Sequence, residues 1–310
     1  MSKINVPKEF YNKEDSDNVC FVCNNPRYSP KFQVNHFDFP FTFKICQCGT
    51  EKQTPLPNEK FFEWFFNSDV FYSAKKTKKD YVWGFYDYFK DESSRMATSE
   101  RRYKVLKKYF PKDKQLNIMK IGPSTGTFLY VAKQHGHNAT GCDVSSNFTD
   151  FAKKKYNVKI DNGRFEQMNY ESENFDNILL FNVIENIPNQ DEFYREVNRT
   201  LKKGGYFIFN FVNMKNNIIA KLQGSKYFIY RPPICYGFTL KIINEIMNKY
   251  GFEIIEKKLD IRYMHLEKIS TLLHWNWMLS LSKALKVNQV NFPIYAYPST
   301  IIIAKKLSNL

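Results

Sequence analysis

No run in the 310 residues approaches the ~20 consecutive apolar side chains that a membrane-spanning helix needs. The first stretch, "MSKINVPKEFYNKEDSDN", lacks the apolar centre of a secretory signal. These two absences argue against a helical membrane protein and make a cytoplasmic location the expectation. Internal repeats and low-complexity tracts are also missing, which sets aside repeat arrays and disordered linkers. Arginine is scarce, at 9 residues against 37 lysines. Arginine is the side chain best shaped for bidentate phosphate recognition, so a basic total here is partly compositional bias.

What is present is a chain with a substantial core. Hydrophobic residues make up 43% and aromatics 17%, enough for one large domain and a small module. The formal charge of +15 is unevenly spread. Residues 1–110 carry 19 basic and 14 acidic side chains, residues 111–210 carry 13 and 12, and residues 211–310 carry 14 and 5. A basic C-terminal third favours an anionic partner such as a nucleotide-linked acceptor, a polyanion or RNA.

Six cysteines fall into two groups. Cys20 and Cys23 form "CFVC", and Cys46 and Cys48 form "CQC" about twenty residues later, while Cys142 and Cys235 stand alone. Paired thiolates at this separation, with no secretory signal, fit a tetrahedral structural zinc site better than disulfides. The one-residue gap of the second pair makes a tighter knuckle than usual, and four reduced thiols are the plainer reading. With four protein ligands no position stays open for water, so the Zn2+ would be structural.

The chain divides into three stretches by pattern. Residues 1–55 read as a zinc-ribbon-like module with strands at "KFQVNHFDF" and "FTFKIC". Residues 56–112 read as a helical linker or lid, built from "NEKFFEWFFNS", "KDYVWGFYDYFKDE" and "SERRYKVLKKYF". Residues 113–310 alternate strands and helices, with an insertion about 214–297 on the acceptor side. Strands at "LNIMKI", "NATGCDV", "FDNILLFNV" and "YFIFNFVN" interleaved with helices predict an α/β fold, a mostly parallel Rossmann-like sheet of seven strands with helices on both faces. "FEIIEKKLDIRY" and "STIIIAKKL" are expected as a late antiparallel pair, and "LEKISTLLHWNWMLSLSKAL" as one apolar helix. That helix has three readings: a core or lid element, a dimer face, or a membrane-surface contact with Lys268, Lys283 and Lys286 at its ends.

The turn "IGPSTGTFL" follows the first strand of the alternating region. Ligands of such sheets bind outside the carboxyl ends of the strands. Gly122 and Gly126 allow close backbone approach, and the helix opening near Gly126 offers free N–H groups to an anion. Asp143 ends the second strand 21 residues after Gly122, where a carboxylate can accept ribose hydroxyls. The spacing does not match Gly-x-Gly-x-x-Gly, which leaves a dinucleotide oxidoreductase remote.

These segments together resemble the Rossmann-like S-adenosylmethionine-dependent methyltransferases. The paired cysteines, "YDYF", "IGPSTGTFL", "GCDVS", "FDNILLFNVIENI" and "GFTLKIINEIMNKYGF" are most similar to the zinc-ribbon-bearing group associated with sugar and polysaccharide methylation. The resemblance implies that Gly122, Ser124 and Gly126 line the methionyl part of the cofactor and that Asp143 holds the ribose. It implies that Val144 and Phe165 flank the adenine near Arg164, and that Tyr88 closes over the cofactor. Asn182 and Glu185 would border the transfer site. Of these, Glu185 is the catalytic candidate. Apart from the resemblance, His265 and His274 of the late insertion are candidate bases, with a surface or satisfied-core histidine as the favoured reading of each. Tyr230, Arg231 and Tyr236 lie in a loop that could meet the acceptor. His135 and His137 are expected to cap or solvate a helix end.

The chain departs from the family pattern at several places. Lys120 stands where an acid is usual, Ser124 replaces the middle glycine after Pro123, and Asn186 and Cys235 occupy positions that are often histidine. Ser124 costs little if its φ is negative. Lys120 would repel a methionyl ammonium if turned inward, or could turn outward or bind the carboxylate. The expected activity is methylation of a sugar, sugar nucleotide or other small anionic acceptor on oxygen. Two other readings stand beside it: an RNA methyltransferase using the basic surface, and an inactive scaffold whose altered turn no longer binds cofactor.

Overall fold

The computed structural model describes residues 7–12, 19–36, 39–72, 88–215, 217–272, 275–295 and 299–310. Along the chain, three strands come first: β1 (Tyr28–His36), β2 (Phe39–Cys46) and β3 (Glu51–Thr54). Helices α1 (Glu59–Asn67), α2 (Asp69–Tyr72) and α3 (Glu92–Val105) follow. Then come β4 (Asn117–Ile121), α4 (Thr127–Gln134), β5 (Asn138–Asp143), α5 (Ser146–Tyr156), β6 (Lys159–Asn162), β7 (Phe175–Leu180), α6 (Gln190–Thr200) and β8 (Leu201–Val212). The last third holds α7 (Ile218–Gln223), β9 (Tyr236–Gly237), α8 (Leu240–Lys249), β10 (Phe252–Leu259) and β11 (Arg262–His265). It closes with α9 (Leu266–Leu272), α10 (Asn276–Ala284), β12 (Asn291–Ile294) and β13 (Ser299–Lys306).

The expected seven-stranded sheet is present, in the order β10-β13-β8-β7-β4-β5-β6. β4 pairs with β5, β5 with β6 and β7 with β8 in parallel, and β13 joins β8 antiparallel. β10 and β13, expected as partners, are neighbours in this sheet. Two compact units share the chain. One takes residues 1–64, 163–258 and 298–310, and the other takes residues 65–162 and 259–297.

In the first unit the cysteine-bearing ribbon is a four-stranded sheet, β1-β2-β3-β9. Its fourth strand is only Tyr236–Gly237, pairing with Lys52 and Glu51 on β3. The core of this unit is aromatic. Phe193 and Tyr194 on α6 pack against Phe207 on β8, at ring centroids 6.4 and 6.3 Å apart, and Tyr194 stacks on Tyr250 at 5.0 Å. Each such ring, fully buried, contributes roughly 2–3 kcal/mol. α8 buries Ile242, Ile243, Ile246 and Met247 along one stripe, and its first turn is capped by Thr239, whose side chain accepts from Ile242 N.

The helix expected to run through "LKKGG" stops at Thr200 instead, and Leu201 begins β8. The reason is pairing: Leu201 sits opposite Phe175 on β7, and a bulge then absorbs the residues before Tyr206. In the second unit α5 starts on Ser145, which accepts from Phe148 N, and ends at Asn157 in the left-handed region. The long helix expected over 266–285 is divided into α9 and α10. Most of the expected "KDYVWGFYDYFKDE" helix lies outside the described residues. Its described part, residues 88–92, is a turn at Tyr88, a short 3-10 segment, Phe89–Asp91, and the first residue of α3.

Candidate active site

The second unit builds its site at the carboxyl edge of β4 and β5. After Ile121 the chain turns through Gly122, Pro123, Ser124 and Thr125 to Gly126, and Gly122 N is held by Cys142 O at 2.9 Å. Gly126 has a φ of +82°, and a Cβ there would lie 2.8 Å from Ala152 Cβ and 2.9 Å from Val158 Cγ2. Only glycine fits that position.

Ser124 differs from expectation. Its φ is +55°, in the left-handed region that usually belongs to glycine. The strain is offset by two contacts: Ser124 N–H donates to Asp143 Oδ2 at 3.0 Å, and Ser124 Oγ lies 2.5 Å from Tyr88 Oη. Asp143 Oδ1 accepts from Ser145 N at 3.0 Å. The Val144 N–H also reaches this carboxylate, and three donors still leave part of its four-site acceptor capacity. Val144 follows half-buried.

Lys120 is buried, with Nζ donating to Ile121 O at 2.8 Å and Gly122 O at 3.3 Å. It turns inward and holds the carbonyl side of the turn. Burial, helped by the charge of Arg102, lowers its pKa to about 7 against the pull of Asp143. Asp143 is pushed up to about 6 by burial, opposed by the N–H groups of Ser145 and Ser124 and by Lys120. The two groups share one desolvated environment, so each is only partly stabilised by the other.

Aromatic rings close one side of this turn. Tyr88 packs on Phe71 at 5.2 Å and Phe148 at 4.9 Å, with the Arg95 guanidinium 4.2 Å from its ring centre. Tyr72 Oη meets Ser145 Oγ at 2.5 Å, a contact the sequence reading missed. Its signal was the "FFNSDVFY" run, whose aromatics are too dense for one helix face.

In the first unit Asn182 and Glu185 follow β7. Asn182 is exposed and has a φ of +59°; its N–H donates to Asn210 Oδ1 at 2.6 Å, and Asn210 Nδ2 donates to Asn182 Oδ1 at 2.9 Å. Glu185 is buried, and its Oε1 accepts from Val212 N at 2.8 Å. Cys235 N donates to Glu185 O at 2.8 Å, and Cys235 Sγ lies 3.6 Å from Asn186 O. The two family departures, Asn186 and Cys235, are therefore neighbours. Phe165 is buried against Tyr170 and Phe193, and Arg164 is engaged by Glu59 and Glu166.

The remaining candidates have structural partners. Tyr230 is buried, its hydroxyl donating to Glu51 Oε2 at 2.9 Å and accepting from Lys31 Nζ at 2.9 Å. Arg231 donates to Lys226 O, and Tyr236 to Pro188 O. His265, in the second unit, is buried at the end of β11, with Nδ1 3.3 Å from Gln289 O and Nε2 3.9 Å from Asp91 Oδ1. His137 is buried and bonded to Tyr103 Oη at 2.9 Å rather than solvated, because the loop to β5 folds back on α3; His135 stacks on Tyr103 at 4.1 Å. His274 lies outside the described residues.

The four N-terminal cysteines converge. Their sulfurs all lie within 4.8 Å of one another, with Cys20–Cys48 at 3.7 Å and Cys23–Cys46 at 3.5 Å. Tetrahedral Zn–S bonds of ~2.3 Å require sulfurs ~3.8 Å apart. Each pair is a knuckle: Asn24 N returns to Cys20 O at 2.8 Å and Gly49 N to Cys46 O at 2.8 Å. All four are free thiols, so the set can hold a metal and forms no disulfide.

Comparison with known proteins agrees with this geometry. Residues 119–209 match the model of a methyltransferase domain. The magnesium protoporphyrin IX methyltransferase of Synechocystis PCC 6803, solved with bound SAH, superposes with a TM-score of 0.54 at 14% identity, covering 80% of this chain and all of that one (100%). The fold is that of the S-adenosylmethionine-dependent methyltransferases. In sequence, the chain is 27% identical over 176 residues to the uncharacterized protein MJ1123 of Methanocaldococcus jannaschii, covering 55% of this chain and 78% of that protein. It is 33% identical over 97 residues to the uncharacterized protein MJ1252 of the same organism, covering 31% of this chain. The match spans only 37% of MJ1252.

Proposed function

We propose that this chain is an S-adenosylmethionine-dependent methyltransferase that methylates an oxygen of a small anionic acceptor, a sugar or sugar nucleotide first among them. The observation that carries the reading is the turn after β4. Gly122, Ser124 and Gly126 bend the backbone beside the carboxylate of Asp143, whose oxygens retain acceptor capacity. The methyltransferase domain model over the same residues supports it.

In this reading Gly122, Ser124 and Gly126 face the methionyl part, Asp143 accepts the ribose hydroxyls, and Val144 borders the adenine. Tyr88 covers the turn. S-adenosylmethionine, when bound, supplies an electrophilic methyl on sulfur. The chain's own contribution is positioning, since an in-line displacement depends on holding the acceptor oxygen at the right distance and angle. Glu185 is the catalytic carboxylate of this reading, with one oxygen held by Val212 N. His265 we read as a structural group, given its burial beside Asp91 and Gln289. The Cys20, Cys23, Cys46 and Cys48 set holds a structural Zn2+ that organises the ribbon. The acceptor is assigned on the basic C-terminal third and on the family resemblance.

Calorimetric titration with S-adenosylmethionine and its demethylated product tests the reading. Micromolar binding, lost in Asp143→Ala, is expected, followed by transfer of labelled methyl to a panel of sugar nucleotides and glycans. Folded protein that binds neither cofactor nor product would favour a second reading, a scaffold. Lys120 is the observation behind that alternative, because its ammonium already occupies the carbonyl side of the turn.

A further inference from the structure

α10 is an amphipathic helix that faces the wrong way for a core element. Positions 277, 280, 281, 284 and 285, which share one helical face, are all exposed, whereas Ser282 on the opposite face is buried and Leu279 half-buried. The exposed face is apolar. Trp277 is 68% exposed, Leu281 51% and Leu285 63%, and Trp275 just before the helix is 45% exposed. A helix that folds only onto its own domain turns such a stripe inward, so this one is built for something outside the described residues.

The charges around the stripe decide what that is. Residues 275–295 contain two lysines, Lys283 and Lys286, and no acid. The nearest acid in sequence, Glu267, is the only one between residues 262 and 297 and already pairs with Lys283 at 3.4 Å. A second copy docking this face on itself would set lysines against lysines with no free acid in the segment to answer them. A phospholipid surface answers both features. Tryptophan settles at the boundary between headgroups and acyl chains, leucine enters below it, and flanking lysines meet anionic headgroups.

We infer that α10 attaches the protein peripherally to an anionic lipid bilayer, with Trp277, Leu281 and Leu285 entering the interface and Lys283 and Lys286 at the headgroups. The helix lies in the plane of the surface and does not cross it: no helix among the described residues is long and apolar enough to do so. This inference is independent of the methyl-transfer reading. It would place the enzyme beside acceptors carried on or near a membrane.

The experiment is co-sedimentation of the full-length protein with phosphatidylcholine vesicles containing phosphatidylserine, and with phosphatidylcholine alone. The wild type is expected to pellet with the anionic vesicles and to be released as salt is raised. W277S/L281S removes two exposed side chains, so its thermal melt should match the wild type while its vesicle affinity falls at least about tenfold. K283Q/K286Q should lose about fivefold per charge on anionic vesicles and little on neutral ones. Wild-type protein that stays in the supernatant with both vesicles overturns the inference, as does pelleting unaffected by either variant. A lipid-free dimer that W277S/L281S dissociates also overturns it and assigns the face to a second copy.

Discussion

The hydroxyl of Tyr88 lies 2.5 Å from the hydroxyl of Ser124, on a residue whose φ is +55°. This bond is one of two that hold a non-glycine residue in a left-handed turn. Ser124→Ala keeps the backbone strain and loses the bond, so it should destabilise by about 1–2 kcal/mol. Ser124→Gly loses the bond and relieves the strain, so it should cost less than the alanine. Urea denaturation of both variants, and of Tyr88→Phe alone and combined, gives the coupling. A coupling near zero would mean the hydroxyls do not support one another.

Lys120 and Asp143 make stability depend on pH in opposite directions. Asp143 is raised from 3.8 to about 6 in the folded chain, so its stabilising share is full below pH 4 and lost as pH rises through 6. Lys120 is lowered from 10.5 to about 7, so its penalty is full below pH 7 and lifts as pH rises toward 10. Stability should therefore rise between pH 7 and 10. In Lys120→Met that rise should flatten, and stability at pH 7 should increase. Denaturation midpoints of wild type and Lys120→Met across this range check it; the same slope in both would mean Lys120 stays charged.

Glu185 accepts from Val212 N inside the first unit, at 2.8 Å. Glu185→Ala leaves that buried N–H without its acceptor and should cost about 1–3 kcal/mol. Glu185→Gln keeps an acceptor oxygen and should cost little stability. If the residue borders the transfer site, the glutamine variant will retain cofactor affinity and lower turnover. Equal turnover in wild type and Glu185→Gln would restrict Glu185 to a structural role.

The cysteine cluster should carry about one zinc per chain, because four thiolates at tetrahedral spacing leave no further coordination site. Metal analysis of purified protein measures it. Cys46→Ala should drop the metal content to near zero and lower the melting temperature, since β2 ends on this residue. Metal retained by that variant would place the binding site elsewhere.

Sequence pattern reached some features and not others for identifiable reasons. The strands of the seven-stranded sheet were legible because parallel strands buried on both faces read as apolar runs such as Phe175–Leu180. The glycine turn and Asp143 were legible because both sit within one β-turn-helix-β stretch. Strand β9 was not, since two residues paired to Lys52 and Glu51 from far along the chain leave no local periodicity. His137 looked like a helix-end residue, and only the packing of Tyr103 showed it buried.

By itself the sequence determined the alternation of strands and helices, the cysteine spacing, the place of the turn and the apolar character of "WNWMLSLSKAL". Each is written in local periodicity or in residue types that few backbones tolerate. Tertiary structure alone decided the direction of Lys120, the left-handed φ of Ser124, the joining of Asn186 to Cys235 and the outward facing of Trp277. Those depend on which groups the fold brings alongside, and a side chain of given chemistry can satisfy itself in several ways until its neighbours are in place.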